Sequence, residues 1–208
     1  MLKEFENLIP FPSRDVDITI NLTHFSSPAF TNEELKNLLQ FFRHRNHNHY
    51  MIVKFLLSTG VSIPDLIHFK TKDIDYENGS LTMKGGKRLH FRRICVEKSF
   101  LQEIYRYSCD FSAESHLFEG RKGCSREERS IQKILNTASQ FLRKEINIPI
   151  IRDSIALSLY QSGNPIREIQ FFLGHRSLKS TRQRILAAQL RIDKQTGHNF
   201  ESWKEKAA

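Results

Sequence analysis

Phe172-Leu173-Gly174-His175-Arg176-Ser177, with Thr181 downstream, constrains this chain more than any other stretch. Asn164-Pro165 opens a helix carrying Ile166, Ile169, Gln170, Phe172 and Leu173 at amphipathic spacing. Gly174 falls where such a helix ends in a left-handed residue, a conformation glycine adopts without steric cost. His175 therefore occupies the turn, and a basic helix with Lys179, Arg182 and Arg184 is expected over about 177–190.

The same logic orders the rest of the chain. Residues 1–29 are punctuated by Pro10, Pro12 and Pro28, while Val16, Ile18 and Ile20 alternate, so an irregular arm is expected. The folded domain is expected over 30–208, polar tail included. Thr31-Asn32-Glu33-Glu34 is a capping box ahead of Leu35, Leu38, Leu39 and Phe42. A second helix runs from about His49 to Ser58 and ends at Thr59-Gly60. Ser62-Ile63-Pro64-Asp65 starts a third, with serine at the cap and proline in the first turn. Strands are expected at 80–83 and 90–96 around Lys84-Gly85-Gly86-Lys87, preceded by an Asp75–Gly79 turn. Further helices follow at Phe100–Tyr105, after a Ser125/Glu128 capping box, and over Ile151–Tyr160. The expected class is mainly α with a small antiparallel β-sheet (α+β).

A formal net charge of +9 favours an anionic partner, and nucleic acid is the commonest. Cys95, Cys109 and Cys124 are odd in number and form no close pair, as in a reduced compartment. No run is long and apolar enough for a membrane span, and no signal pattern begins the chain, so a cytoplasmic, nucleoid-associated address is expected. His44, His47 and His49 lack accompanying ligands at metal spacing, and neither metal nor cofactor is expected.

The Leu-Gly-His stretch resembles the corresponding box of the tyrosine recombinases (phage integrases), and the likeness extends over about Thr31 to Leu190. It implies that family's catalytic-domain fold. Thr59-Gly60-Val61-Ser62-Ile63-Pro64-Asp65-Leu66, followed by Lys72-Asp73-Ile74-Asp75, resembles the first arginine box, with Ser62 at the arginine position. Lys84 falls where the family keeps a lysine that protonates the leaving oxygen. Pro149-Ile150-Ile151-Arg152 resembles the His-x-x-Arg box, with Arg152 kept and Pro149 at the histidine position. His175 is kept, and the resemblance gives it a phosphate hydrogen bond. The nucleophilic tyrosine of the next helix corresponds to Arg184, and no tyrosine follows His175 in this sequence.

The resemblance thus implies kept positions at Lys84, Arg152 and His175 and replaced ones at Ser62, Pro149 and Arg184. Such a chain is expected to bind double-stranded DNA in a recombination or integration context without cutting it. Serine supplies no guanidinium fork, proline no proton, and arginine no hydroxyl nucleophile. Lys87, Arg88, Arg92, Arg93, Arg176, Lys179, Arg182 and Arg184 are the candidate DNA contacts. Alone, Lys84 reads as a solvated turn residue, and Arg152 as an ion pair of Asp153 or Glu145. The family's N-terminal clamping domain is expected to be absent. An active but divergent recombinase and a non-catalytic partner of a recombinase, or of a second copy through the last helix, are the alternatives. The absent tyrosine weighs against the first. A remnant of a mobile element is a further expected context.

Overall fold

The computed structural model describes residues 30–85, 90–120 and 123–196. The expected arm at 1–29, the tail beyond 196, and Lys87 and Arg88 lie outside these residues. Helices α1 (Asn32–Arg45) and α2 (His47–Thr59) come first, then the short α3 (Ile63–His68). A 3-10 turn (Thr71–Asp73) leads into strands β1 (Ile74–Asp75), β2 (Ser80–Met83) and β3 (Arg92–Cys95). Helices α4 (Lys98–Ser108), α5 (Glu128–Leu142), α6 (Ile148–Gln161), α7 (Ile166–Leu173) and α8 (Leu178–Thr196) complete the order. The domain is therefore mainly helical with one small antiparallel sheet.

Local sequence places most helix ends. Thr31 Oγ1 accepts from Glu34 N while a Glu34 carboxylate oxygen accepts from Thr31 N, closing the expected capping box. Asn46 and Asn147 cap α2 and α6 by accepting from His49 N and Ile150 N. Burial then selects the centre of the fold. Helices α2 and α6 are buried nearly all round, which marks them as core helices rather than one-faced surface helices. Helices α1, α4, α5 and α7 each turn one apolar stripe inward, through residues such as Leu38, Ile104, Ile134 and Phe172.

The sheet runs β1-β2-β3, with Ile74 opposite Leu81 and Leu81 opposite Ile94. Leu81, Met83 and Ile94 face the core, whereas Arg93 faces solvent. This follows the two-residue alternation of a half-buried strand.

Several boundaries differ from expectation: α2 starts at His47, α4 spans Lys98–Ser108, α6 starts at Ile148, β3 is confined to Arg92–Cys95, and Ile74–Asp75 adds a third strand. Two further differences have a visible cause. Helix α5 begins at Glu128 without a side-chain cap bond, so the Ser125/Glu128 box does not form. Ser125 is held extended by a bridge to Glu119, and its hydroxyl donates to Ile67 O at 3.1 Å. Helix α8 continues past Leu190 to Thr196. There Gln189 donates to Asp193 one turn on, and Arg191 finds a carboxylate on α6.

Candidate functional site

Two glycines build the site's walls. Gly60 ends α2 at φ +58° and Gly174 ends α7 at φ +70°, both in the left-handed region. Each turn leaves helix-terminal carbonyls pointing out of the last turn, where they need partners. Arg152, one turn into α6, supplies them. Its Nη1 donates to Gly60 O, and its Nη2 donates to Leu173 O at 2.9 Å. One buried guanidinium thus ties the ends of α2, α6 and α7 together.

Arg152 Nη2 also lies 2.9 Å from His175 Nε2, and Arg184 Nε lies 3.3 Å from the same nitrogen. Arginine nitrogens only donate, so Nε2 accepts and the ring proton belongs on Nδ1. From there it is donated to Thr181 Oγ1 at 3.0 Å. Gln170 Nε2 donates to His175 O and His175 N donates to Gln170 O, which fixes the turn. Burial first, then Arg152, Arg184 and Arg92, push the His175 pKa down to about 3, so the ring is neutral at neutral pH. Burial, with Arg184 and Arg92 nearby, pushes Arg152 down to about 9. It keeps its charge at neutral pH all the same.

Arg184 enters from α8. Its Nη1 donates to Asp153 Oδ1 at 2.7 Å, and Arg191 Nη1 donates to Asp153 Oδ2 at 2.6 Å. Asp153 is buried, and the two arginines bind α8 to α6 through it. The Arg184 side chain stays 30% exposed. Ser62 caps α3, its Oγ accepting from Asp65 N at 3.2 Å. Ser62, Pro149, Arg152, Asp153, His175 and Arg184 line one cleft of about 840 Å³.

The structure therefore gathers Ser62, Pro149, Arg152, His175 and Arg184 around one cleft. Lys84 stands apart from them. Its side chain is exposed, and Nζ pairs with Asp73 at 2.9 Å, while its neighbour Gly85 lines the cleft. Arg92 requires correction as a DNA contact, since its side chain is fully buried. Nε donates to Phe172 O at 2.8 Å, and the guanidinium meets Asp65 Oδ2 at 3.4 Å. Even-numbered residues of β3 point inward, which removes Arg92 from solvent and leaves Arg93 exposed. Arg176, Lys179 and Arg182 are exposed beside the cleft's α8 wall.

Asp65 is more than a helix-terminal charge, because it neutralises Arg92. Nor does Arg152 pair with Asp153 or Glu145; Asp153 goes to α8, and Glu145 accepts from the Asn147 amide. Asp153, expected beside Arg152, instead pairs with Arg184 and Arg191, and Thr181 accepts from the His175 ring; neither partner was read from the sequence. Adjacency to Arg152 singled out Asp153, but only packing brought α8 within reach.

The phage integrase family model matches residues 28–189, and the chain belongs to that family. Tyrosine recombinase XerA of Pyrococcus furiosus is 30% identical over 169 residues, covering 78% of this chain and 59% of that protein. A probable integrase/recombinase of Bacillus subtilis, YoeC, is 26% identical over 165 residues, covering 78% of this chain and 90% of that protein. In fold, the chain matches the crystal structure of XerA recombinase at TM-score 0.67 with 20% identity, covering 82% of this chain and 65% of that one. It matches XerH site-specific recombinase bound to its difH substrate at TM-score 0.64 with 21% identity, covering 80% and 52%. The chain spans 59% and 56% of the length of two XerA relatives. Among the described residues, no helix is long and apolar enough to cross a membrane.

Proposed function

We propose that this chain grips duplex DNA through its phosphates, in a recombination or integration context, and does not cut it. The observation that carries this is the charge around His175. Four guanidiniums (Arg92, Arg152, Arg184 and Arg191) face two carboxylates (Asp65 and Asp153), an excess of two positive charges. The buried pair Arg92 and Arg152 is balanced by the buried side chains of Asp65 and Asp153, so the surplus lies on the partly exposed Arg184 and Arg191, where an anion from solvent can pair with it. Arg184 is partly exposed where Arg152 is buried, so it is the member best placed to meet a phosphate oxygen. Guanidiniums serve this purpose well because their planar fork matches two phosphate oxygens at once. The XerH structure is a complex with its difH substrate, which supports a nucleic-acid partner.

The chemistry needed for cleavage is thinned out. The tyrosine position holds Arg184, the first arginine position holds Ser62 with its hydroxyl used as a cap, and the histidine position holds Pro149. His175 is neutral with Nε2 unprotonated, so it is no acid for a leaving oxygen. What remains binds phosphate charge but supplies neither nucleophile nor the full proton-transfer set. Groups that act together do not leave proportionate activity when some are lost.

Two measurements test this. Duplex DNA titrated by fluorescence anisotropy should bind at low salt and weaken steeply as salt rises, because each neutralised phosphate releases counterion. A nicked suicide duplex should give no denaturation-resistant protein–DNA band, either with the parent chain or with Arg184→Tyr alone. A covalent band from the parent chain would overturn the non-cleaving reading. No binding at low salt would replace DNA with a protein partner.

A further inference from the structure

The outer face of the β2–β3 pair, next to the cleft-lining Gly85, carries a feature that phosphate binding in the cleft does not use. Phe91 is 61% exposed, more than any other large hydrophobic among the described residues. It immediately precedes β3, where alternation buries Arg92 and exposes Arg93. Phe91 therefore lies on the outward face with Arg93. The β2–β3 register pairs Thr82 with Arg93 and Met83 with Arg92. One further step along the same register sets Lys84 opposite Phe91, as cross-strand neighbours on that face.

The backbone under the ring is anchored on both sides. His90 N donates to Gly174 O at 3.0 Å, and Arg92 Nε donates to Phe172 O at 2.8 Å. Both bonds end on the turn that holds His175. An aromatic ring thus stands exposed on the sheet's outer face, beside Lys84 and Arg93, and contributes nothing to the core. Lys87 and Arg88 belong to the same β2–β3 connection in sequence. An aromatic ring among basic residues suits nucleic acid, whose bases stack on rings and whose base steps accept apolar wedges from the minor groove.

We infer that Phe91 contacts the bases of bound duplex DNA, wedging against a base step while the neighbouring cations hold the backbone. This rests on the DNA-binding reading above and adds a contact that phosphates cannot provide.

Phe91→Ala and Phe91→Trp test the inference, with a short mixed-sequence duplex as the probe. Phe91→Ala should weaken binding roughly 5- to 100-fold, as loss of a base-stacking ring does, with its thermal unfolding unchanged. The salt slope should also stay unchanged, because an apolar contact releases no counterion, whereas losing a phosphate contact lowers that slope by about one. Phe91→Trp should keep the affinity, and its emission should be quenched by the duplex beyond any change in the parent, whose one tryptophan is Trp203. Parent-like affinity of Phe91→Ala, a reduced slope, or no added quenching in Phe91→Trp would overturn the wedge while leaving DNA binding intact. Failure of the parent itself to bind duplex at low salt would overturn both readings together.

Discussion

Mild acid should destabilise this protein through His175. The side chain is 5% exposed, and its Nε2 already accepts from Arg152 at 2.9 Å and lies 3.3 Å from Arg184 Nε. Protonating it would put a cation against two guanidiniums in a site with little water. Its pKa is accordingly pushed from 6.5 to about 3. The unfolded chain takes up this proton as pH falls through the ordinary histidine range, whereas the folded chain refuses it until about pH 3. The stabilisation is therefore fully present above the unfolded value and is lost on acidification towards the folded one. The slope is about 1.4 kcal/mol per pH unit, so about 2–3 kcal/mol should disappear between roughly pH 6.5 and pH 4.5. Urea unfolding of the parent and of His175→Gln across that range measures it. Glutamine can still accept from Arg152 but cannot take a proton, so its curve should lack this component. Parallel pH dependences in the two proteins would refute the reasoning, as would a ring titrating near its ordinary value by NMR. Duplex DNA should flatten the parent's slope, since a nearby phosphate compensates the added positive charge.

Other outcomes follow from the same packing. Gly174→Ala should cost more than Gly79→Ala: both residues lie in the left-handed region, worth roughly 1–2 kcal/mol. At Gly174 a β-carbon would also sit 2.6 Å from Arg92 Nη1, while nothing crowds Gly79; urea midpoints compare them. Asp153→Asn should loosen α8, at about 1–3 kcal/mol because its two arginines are partly exposed and can rehydrate, with faster amide exchange along that helix as the readout. Lys84→Ala should lower the salt slope of DNA binding by about one and cost about 1 kcal/mol of stability, because it leaves the buried Asp73 carboxylate one partner short. Arg152→Ala should lose both binding and stability, since it leaves the carbonyls of Gly60 and Leu173 without their donor.

Features legible in the sequence were those whose partners lie within one turn. The Thr31–Glu34 box, the Ser62 cap and the glycine ends at Gly60 and Gly174 each close bonds over three to five residues. Residue type at that spacing is then sufficient, and the helical class with its small sheet followed from such local signals. The family resemblance added which positions face one another, and Arg152, His175 and Arg184 do meet. Tertiary structure alone decided what each charge does there. Arg92 finds Phe172 O across 80 residues, Arg152 finds Gly60 O across 92, and Asp153 finds Arg191 across 38. An arginine in a strand or a helix looks alike in sequence whether it meets solvent, a carbonyl or a carboxylate. Burial chooses among these, because a guanidinium removed from water must find fixed acceptors, and only the packed helix ends determine where those acceptors stand.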